Sequence, residues 1–346
     1  VKLAYLGNFG PPSSTENHVS ASFELAGHEV VRVQEQEHVW ADLPGIAMEH
    51  EVPLVVWTRT KGLDSDLDAM IVGLGKLRQA GIVTAGYHLD KWWDLPREED
   101  IPLSPFFRCE HVCTADGGNQ ARFKALGINH HWLPPGVFGP EAETPGQYRD
   151  EFDADVAFVG TRYGYHTEWA HRGQLVAFLK DMGGVRFWPN RRRGGIRGPD
   201  LADLYASSRV VVGDSCMVGG TGWYWSDRVP ETVGRGGFLL HPYTEGIEES
   251  YTDGTHLRLW ELGDWGQLRS LIDYYVKADD ERRQIAATGR QHVLDFHTYT
   301  HRVTEFLRLI GMEDGATQAT PTEPGRAPAT QERAGTAGTR LGSPMP

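Results

Sequence analysis

Short apolar runs alternate with stretches of helical period from the first residues of the chain. "KLAYLGNFG" reads as a strand running into a glycine turn, and "SSTENHVSASFELAGHEV" as a helix with hydroxyl caps and a stop at Gly27. "HEVVRV", "VPLVVWTRT", "GIVTAGYHLD", "HVCTADGG" and "HHWLPPG" follow as strands, each ending in a polar or glycine-rich turn. The pattern then restarts. "ADVAFVGTRYGYH", "VRFWPN", "SRVVVGDS", "GGFLLHP" and "THLRLWEL" read as five further strands, and the segment from Gly263 to about Gly311 carries helical periodicity. Runs of Val, Ile and Leu separated by helices are what a parallel sheet covered on both faces requires. An acidic, Pro- and Gly-containing connector over residues 138–152 divides the series.

The expected architecture is therefore α/β, with two doubly wound, Rossmann-like halves facing a central cleft. Residues 1–145 form the first half, 146–312 the second, and 313–346 a tail with almost no large apolar residues. Such a tail buries too little to offset its ordering and is expected to be disordered.

Composition narrows the partners. The 346 residues carry 34 Lys and Arg against 47 Asp and Glu, a formal net charge of −13. Nucleic acid and anionic membrane both need a broad basic surface, so neither is expected as the main partner. No apolar run approaches the length of a membrane span. No signal-peptide pattern opens the sequence, and its 3 cysteines are too few for a disulfide framework, so a reducing cytoplasm is the expected location.

Ligands of open α/β sheets bind beyond the carboxyl ends of the strands, so residues just after strands are the candidates. In "YWSDRVPETVGRGGFLLHPYTEG", Ser226 or Asp227 can cap a helix that tolerates Pro230 only in its first turn. Arg228 and Glu231 then stand about one turn apart. The turn at Glu245 and Gly246 leads into another helix start, whose unpaired amides suit an anion. A carboxylate, a cation and bare amides fit a nucleoside diphosphate, with Glu231 on the ribose and Arg228 on phosphate. An i,i+3 ion pair on a helix surface fits the same spacing. Gly160 and Arg162 end the first strand of the second half and supply a second phosphate cation, or a solvated loop arginine; His166 follows as a sugar contact or a cap.

In the first half, "TAGYHLDKWWDLPRE" puts His88 and Asp90 at a strand end beside Trp92 and Trp93. An imidazole, a carboxylate and a flat ring make a platform for a sugar or acceptor and can assist proton movement, although a structural His–Asp pair has the same signature. Gly7 and Gly10 form a glycine loop before a helix starting near Glu16; the spacing is not that of a dinucleotide fingerprint, and Gly10 is assigned to the sugar or acceptor side. Cys109, His111 and Cys113 share one strand face and read as packing residues, "RRRGGIR" as a solvated loop, and no metal site is expected. Phosphate-loop, zinc-protease and serine-hydrolase motifs do not occur.

"SDRVPETVGRGGFLLHP", "DVAFVGTRYGYHTEWAHR" and "DDERRQIAATGRQHVLDFHTYTHRV" resemble GT-B glycosyltransferases, in particular the group related to spore-maturation proteins that is also common in phages of actinobacteria. The resemblance covers most of residues 1–310. It implies a nucleotide-sugar donor on the second domain, no obligatory metal and no cofactor beyond the donor. By it, Glu231 takes the place of a ribose-binding glutamate, Arg162 that of the cation after the first strand of the second domain, and His88 that of a histidine near the sugar. Many relatives carry another glutamate eight residues before the ribose-binding one, where this chain has Trp223, so sugar identity and stereochemical course stay open. The expected function is sugar transfer to an acceptor hydroxyl on a protein or glycan, a virion protein if the chain is phage-encoded. A non-catalytic nucleotide-sugar-binding module and a sugar-nucleotide epimerase are the alternatives.

Overall fold

A computed structural model of the protein describes residues 1–37, 40–59, 67–162, 170–189, 195–216 and 222–313. Each apolar run read above as a strand is one. β1 (Lys2–Gly7), β2 (Glu29–Gln34), β3 (Leu54–Trp57), β4 (Val83–His88), β5 (His111–Thr114) and β6 (His130–Trp132) form a sheet of order β2-β1-β3-β4-β5-β6. β7 (Ala154–Val159), β8 (Val185–Trp188), β9 (Ser208–Val212), β10 (Leu239–Pro242) and β11 (Arg258–Trp260) form a second sheet of order β11-β10-β9-β7-β8. All the pairings within both sheets are parallel. Parallel neighbours cannot be joined by hairpins, so helices make the crossovers.

In the first domain the crossovers include α1 (Thr15–Leu25), α2 (Leu43–Glu49), α3 (Leu67–Gln79) and α4 (Gln120–Ala125). α1 starts where the hydroxyl pattern placed it: the Ser14 side chain accepts the Asn17 amide at 3.2 Å, and Gly27 leaves the helix at φ +87°. One face of this sheet packs on Trp40, Met70, Leu74 and Leu77, the other on Val19 and Phe23 of α1. α5 (Gly139–Glu143) lies in the connector. The second domain adds α6 (Ala170–Met182), α7 (Gly198–Ser207), α8 (Arg228–Gly234), α9 (Trp265–Tyr275), α10 (Asp279–Phe296) and α11 (Tyr299–Leu309).

α11 does not stay with the domain it follows in sequence. A capping box between Thr298 and His301 starts it, and its buried face of Tyr299, Val303, Phe306 and Leu307 packs into the same cluster as Leu3, Tyr5, Val19 and Phe23 of the first domain. α11 thus follows the second domain in sequence while its apolar face packs on the first. Periodicity shows that α11 has an apolar face, but not which core that face enters. The domains are also joined by polar contacts, as Glu141 of α5 pairs with His18 of α1 at 3.4 Å and with Arg235 beyond α8.

Cys109, Cys113 and Cys216 are buried thiols outside any disulfide; burial pushes the Cys109 thiol up to about 12, as expected of a packing residue. Among the described residues no helix is long and apolar enough to cross a membrane. The tail expected to be disordered lies, from 314 onward, outside the described residues.

Candidate functional site

The second-domain side is organised by the loop after β9. Asp214 is buried and takes two hydrogen bonds from the Arg172 guanidinium of α6, at 2.9 and 2.7 Å. Arg172 also donates to the Thr161 carbonyl at 3.3 Å, tying the turn after β7 to the turn after β9. Ser215 accepts the Ser226 amide at 2.9 Å and pairs with His241 of β10 at 2.8 Å. The start of α8 is thereby fixed to the carboxyl ends of β9 and β10. Asp214 was not among the residues selected from the sequence, yet "VVVGDS" carries the same signal, a polar residue just after an apolar run.

On α8, Arg228 and Glu231 form an ion pair at 3.1 Å, with their side chains only 20% and 14% exposed. The pair is thus set into the protein rather than laid on a helix surface. Burial alone would lower the Arg228 pKa, but Glu231 and Asp227 raise it above the ordinary arginine range. Burial would raise the Glu231 carboxyl, and Arg228, aided by Arg235, holds it below the usual range. Asp227 moves the other way, raised by burial and by the charge of Glu231. At seven residues α8 is short, so side-chain charge rather than the helix dipole dominates here.

Gly160 closes β7, its amide bonded to the Trp188 carbonyl at 2.8 Å. Arg162 reaches across the end of β8, donating to the Pro189 carbonyl at 3.2 Å, with its guanidinium 5.2 Å from the Phe187 ring centre. The turn at Glu245 and Gly246 differs from expectation. It enters a three-residue 3-10 turn, Ile247–Glu249, instead of a helix, and the Gly246 amide is already taken by the Glu248 carboxylate at 3.1 Å. The amides of Ile247 and Glu249 are bonded to the Thr244 and Gly246 carbonyls, so three of this turn's amides are already engaged. A cavity of about 430 Å³ lined by Tyr243, Glu248 and Trp260 lies beside the turn and contains none of the expected site residues.

On the first-domain side, His88 ends β4. Its Nδ1 accepts the Asp90 amide at 3.1 Å, so the neutral ring carries its proton on Nε2. Burial lowers its pKa, with Asp90 opposing and Arg97 and Arg59 reinforcing. Asp90 pairs with Arg97 at 3.3 Å and is 38% exposed, the more open of the two groups. Trp92 is not a platform: it is 6% exposed, with its ring packed among His88, Phe106 and Phe107. The reason lies one strand away. Asp116, fully buried after β5, accepts the Trp92 and Trp93 amides at 2.9 and 2.8 Å and draws both indoles into the core. Gly10 is exposed, its amide on the Asn8 side chain at 3.2 Å. His166 lies outside the described residues, as do Arg191 to Arg193.

The structure brings the two sides together at Tyr224. This buried phenol shares a small apolar cluster with Leu95 and Ala115 of the first domain and with Cys216. Burial raises its pKa most, and both Asp90 and Asp227 add to the rise, so the expected first-domain carboxylate lies within electrostatic reach of the start of α8. Among the described residues no group of three His, Cys, Asp or Glu is placed to hold a metal ion.

Residues 148–308 match a family described as glycosyl transferase-like. No curated protein sequence matches the chain. Solved structures match along nearly the whole length. HepE from Anabaena in complex with UDP-glucose is 12% identical with a TM-score of 0.58, covering 90% of this chain and 99% of its own. Sucrose-phosphate synthase from Thermosynechococcus elongatus is 11% identical with a TM-score of 0.60, covering 90% and 98%. An alpha-glucosyltransferase in complex with UDP-glucose and DNA is 10% identical with a TM-score of 0.61, covering 90% and 99%. The chain has the two-domain fold of the GT-B glycosyltransferases, and across 148–308 it carries glycosyl transferase-like sequence.

Proposed function

We propose that the protein transfers a sugar from a nucleoside diphosphate sugar, of the UDP-sugar class, to an acceptor hydroxyl. The observation that carries this reading is the Arg228–Glu231 pair, set into the cleft side of the domain whose sequence matches the glycosyl transferase-like family. In this reading Glu231 accepts hydrogen bonds from the ribose hydroxyls. Arg228, with Arg162 and the Gly160 turn, holds the diphosphate and stabilises its charge as it leaves. The turn at Glu245 and Gly246 serves the donor by exchanging the Glu248 carboxylate on the Gly246 amide for a phosphate oxygen.

The acceptor enters from the first-domain side, past Gly10, and His166 is proposed from the sequence as a sugar contact. Its hydroxyl oxygen bonds to the anomeric carbon as the bond to the diphosphate breaks, and the Asp90 carboxylate takes the hydroxyl proton. His88, committed through Nδ1 to the Asp90 amide, orients that carboxylate. The reading uses no metal and no cofactor beyond the donor. The acceptor proposed is a protein or glycan, including a virion protein in the phage setting that the sequence resemblance suggests. The net charge of −13 disfavours DNA, unlike the alpha-glucosyltransferase of the same fold.

The test is release of nucleoside diphosphate from UDP-glucose and other nucleotide sugars, with Glu231→Ala alongside. A charge-assisted hydrogen bond is worth about 1.5–3 kcal/mol, so the variant is expected to raise the donor KM by at least about tenfold. Neither binding nor release with any donor would sink the reading; binding without release in the presence of protein and glycan acceptors would leave a nucleotide-sugar-binding module.

A further inference from the structure

Trp223 sits between the two domains in a conformation that a bulky side chain rarely adopts, with φ at +62°. Both of its backbone groups are used. Its amide donates to the Glu245 carbonyl, in the turn after β10, and its carbonyl accepts the Gly117 amide at 3.1 Å, in the turn after β5. Its ring meets Trp132 edge-on at 5.4 Å between centres. Three loops make room for it by lacking side chains. A Cβ on Gly117 would lie 2.6 Å from the Trp223 Cβ, one on Gly246 would lie 2.5 Å from the indole, and one on Gly222 would lie 2.2 Å from the Glu245 Cβ. Backbone strain held in place by surrounding structure is found where function needs a fixed geometry.

The consequences run along the chain in both directions. Gly117 follows Asp116, the carboxylate that anchors the Trp92 and Trp93 amides just beyond Asp90. On its other side Trp223 leads through Tyr224, inserted against Leu95 and Ala115, to Ser226 and the start of α8 with Arg228. One residue thus ties the turn beside Asp90 to the element carrying Arg228 and Glu231.

We propose that Trp223 is a positioning residue that sets the acceptor side of the cleft against the donor side, so that the reacting groups stand at the right separation. The catalytic part of this proposal rests on the transferase reading; the tie between the domains does not. Trp223 acts through Gly117 and Asp116 on one side and through the start of α8 on the other.

The experiment compares Trp223→Ala, Trp223→Phe and Gly117→Ala in the full chain, by steady-state kinetics with UDP-glucose or whichever donor the wild type turns over, and by hydrogen exchange. Misplacement of reacting groups by about 1 Å costs on the order of 100-fold, so Trp223→Ala is expected to lower kcat by about 10- to 100-fold, a larger change than any in the donor KM. Trp223→Phe, which keeps a ring in the cradle, restores most of that loss. Gly117→Ala, whose Cβ would meet the Trp223 carbonyl and Cβ and the Trp132 ring nitrogen, displaces Trp223 without altering it and reproduces the loss. In Trp223→Ala the segments 115–119 and 243–247, which belong to different domains, both exchange faster. A folded Trp223→Ala with unchanged kcat, or with exchange faster in one domain alone, overturns the proposal. If Trp223→Ala does not fold, Trp223→Phe and Gly117→Ala carry the same decision. If the wild type turns over no donor, the transferase reading fails, and paired exchange in both segments still decides for or against the tie.

Discussion

On the second-domain side of the cleft, charges answer charges: Arg172 with Asp214, Arg228 with Glu231, Arg235 with Glu141. On the first-domain side, Asp116 is held by two backbone amides and an asparagine, and His88 is neutral with its ring on a backbone amide. Paired charges keep a high density of full charge in place, the condition for gripping an anionic diphosphate that comes and goes. Asp116, satisfied by amides, keeps its geometry without a bonded cation, while its neighbour Asp90 is paired with Arg97; in the proposed reading the fixed Asp116 helps aim a neutral acceptor's hydroxyl. The two halves share a fold and differ in how their innermost carboxylates are satisfied, Asp214 by a guanidinium and Asp116 by amides.

This comparison can be broken most sharply by catalysis. Asp90→Asn, on the acceptor side, is expected to lower kcat by about 10²- to 10⁴-fold, the usual range for a lost general base, with the donor KM unchanged. Glu231→Ala should mainly raise the donor KM. If both changes move the same constant, the division between the halves is wrong.

Stability sharpens it next. Arg172→Ala leaves the buried Asp214 carboxylate without its two guanidinium bonds, and breaking a buried pair in this way costs about 3–5 kcal/mol. Arg172→Met combined with Asp214→Leu removes both charges and should recover a large part of that loss in denaturant unfolding.

The smallest expected effect concerns acid, where burial lowers the pKa of several histidines, His241 of the second domain and His130 of the first the furthest. Burial pushes His241 of the second domain down to about 4 and His130 of the first down to about 3. Unfolded, both rings take a proton near pH 6.5, so the unfolded state binds more protons below that pH. The stability they contribute is complete above about pH 6.5 and is lost as pH falls toward 4 and then 3. The slope is about 1.4 kcal/mol per pH unit for each ring. Unfolding midpoints followed from pH 7 to 4.5 should fall accordingly, and His241→Gln should lower the slope by about 1.4 kcal/mol per pH unit.

Strands were legible because an apolar run bounded by turn residues is a local signal. The Arg228–Glu231 pair was legible for the same reason, as spacing on one helix fixes it. What sequence spacing could not supply was direction in space. Trp92 stands two residues beyond Asp90, yet Asp116, from another strand, turns its ring inward. The turn at Gly246 carries the glycine expected of an anion loop, but the nearby Glu248 competes for its amide. Trp223 gives no hint of its positive φ, because the glycines that permit it lie more than a hundred residues away at 117 and nearby at 222 and 246. The destination of α11 is of the same kind.

That helix has a consequence for how the protein is made. While the chain is still being synthesised, the first sheet is complete once β6 has emerged, but the cover formed by Tyr299, Val303, Phe306 and Leu307 comes only after the whole second sheet. Until then Leu3, Tyr5 and Phe23 face water or a chaperone, and the first domain cannot close its core ahead of the second. α11 therefore acts as a completion check: a chain interrupted before residue 299 loses the cover of the first sheet rather than a piece of the second.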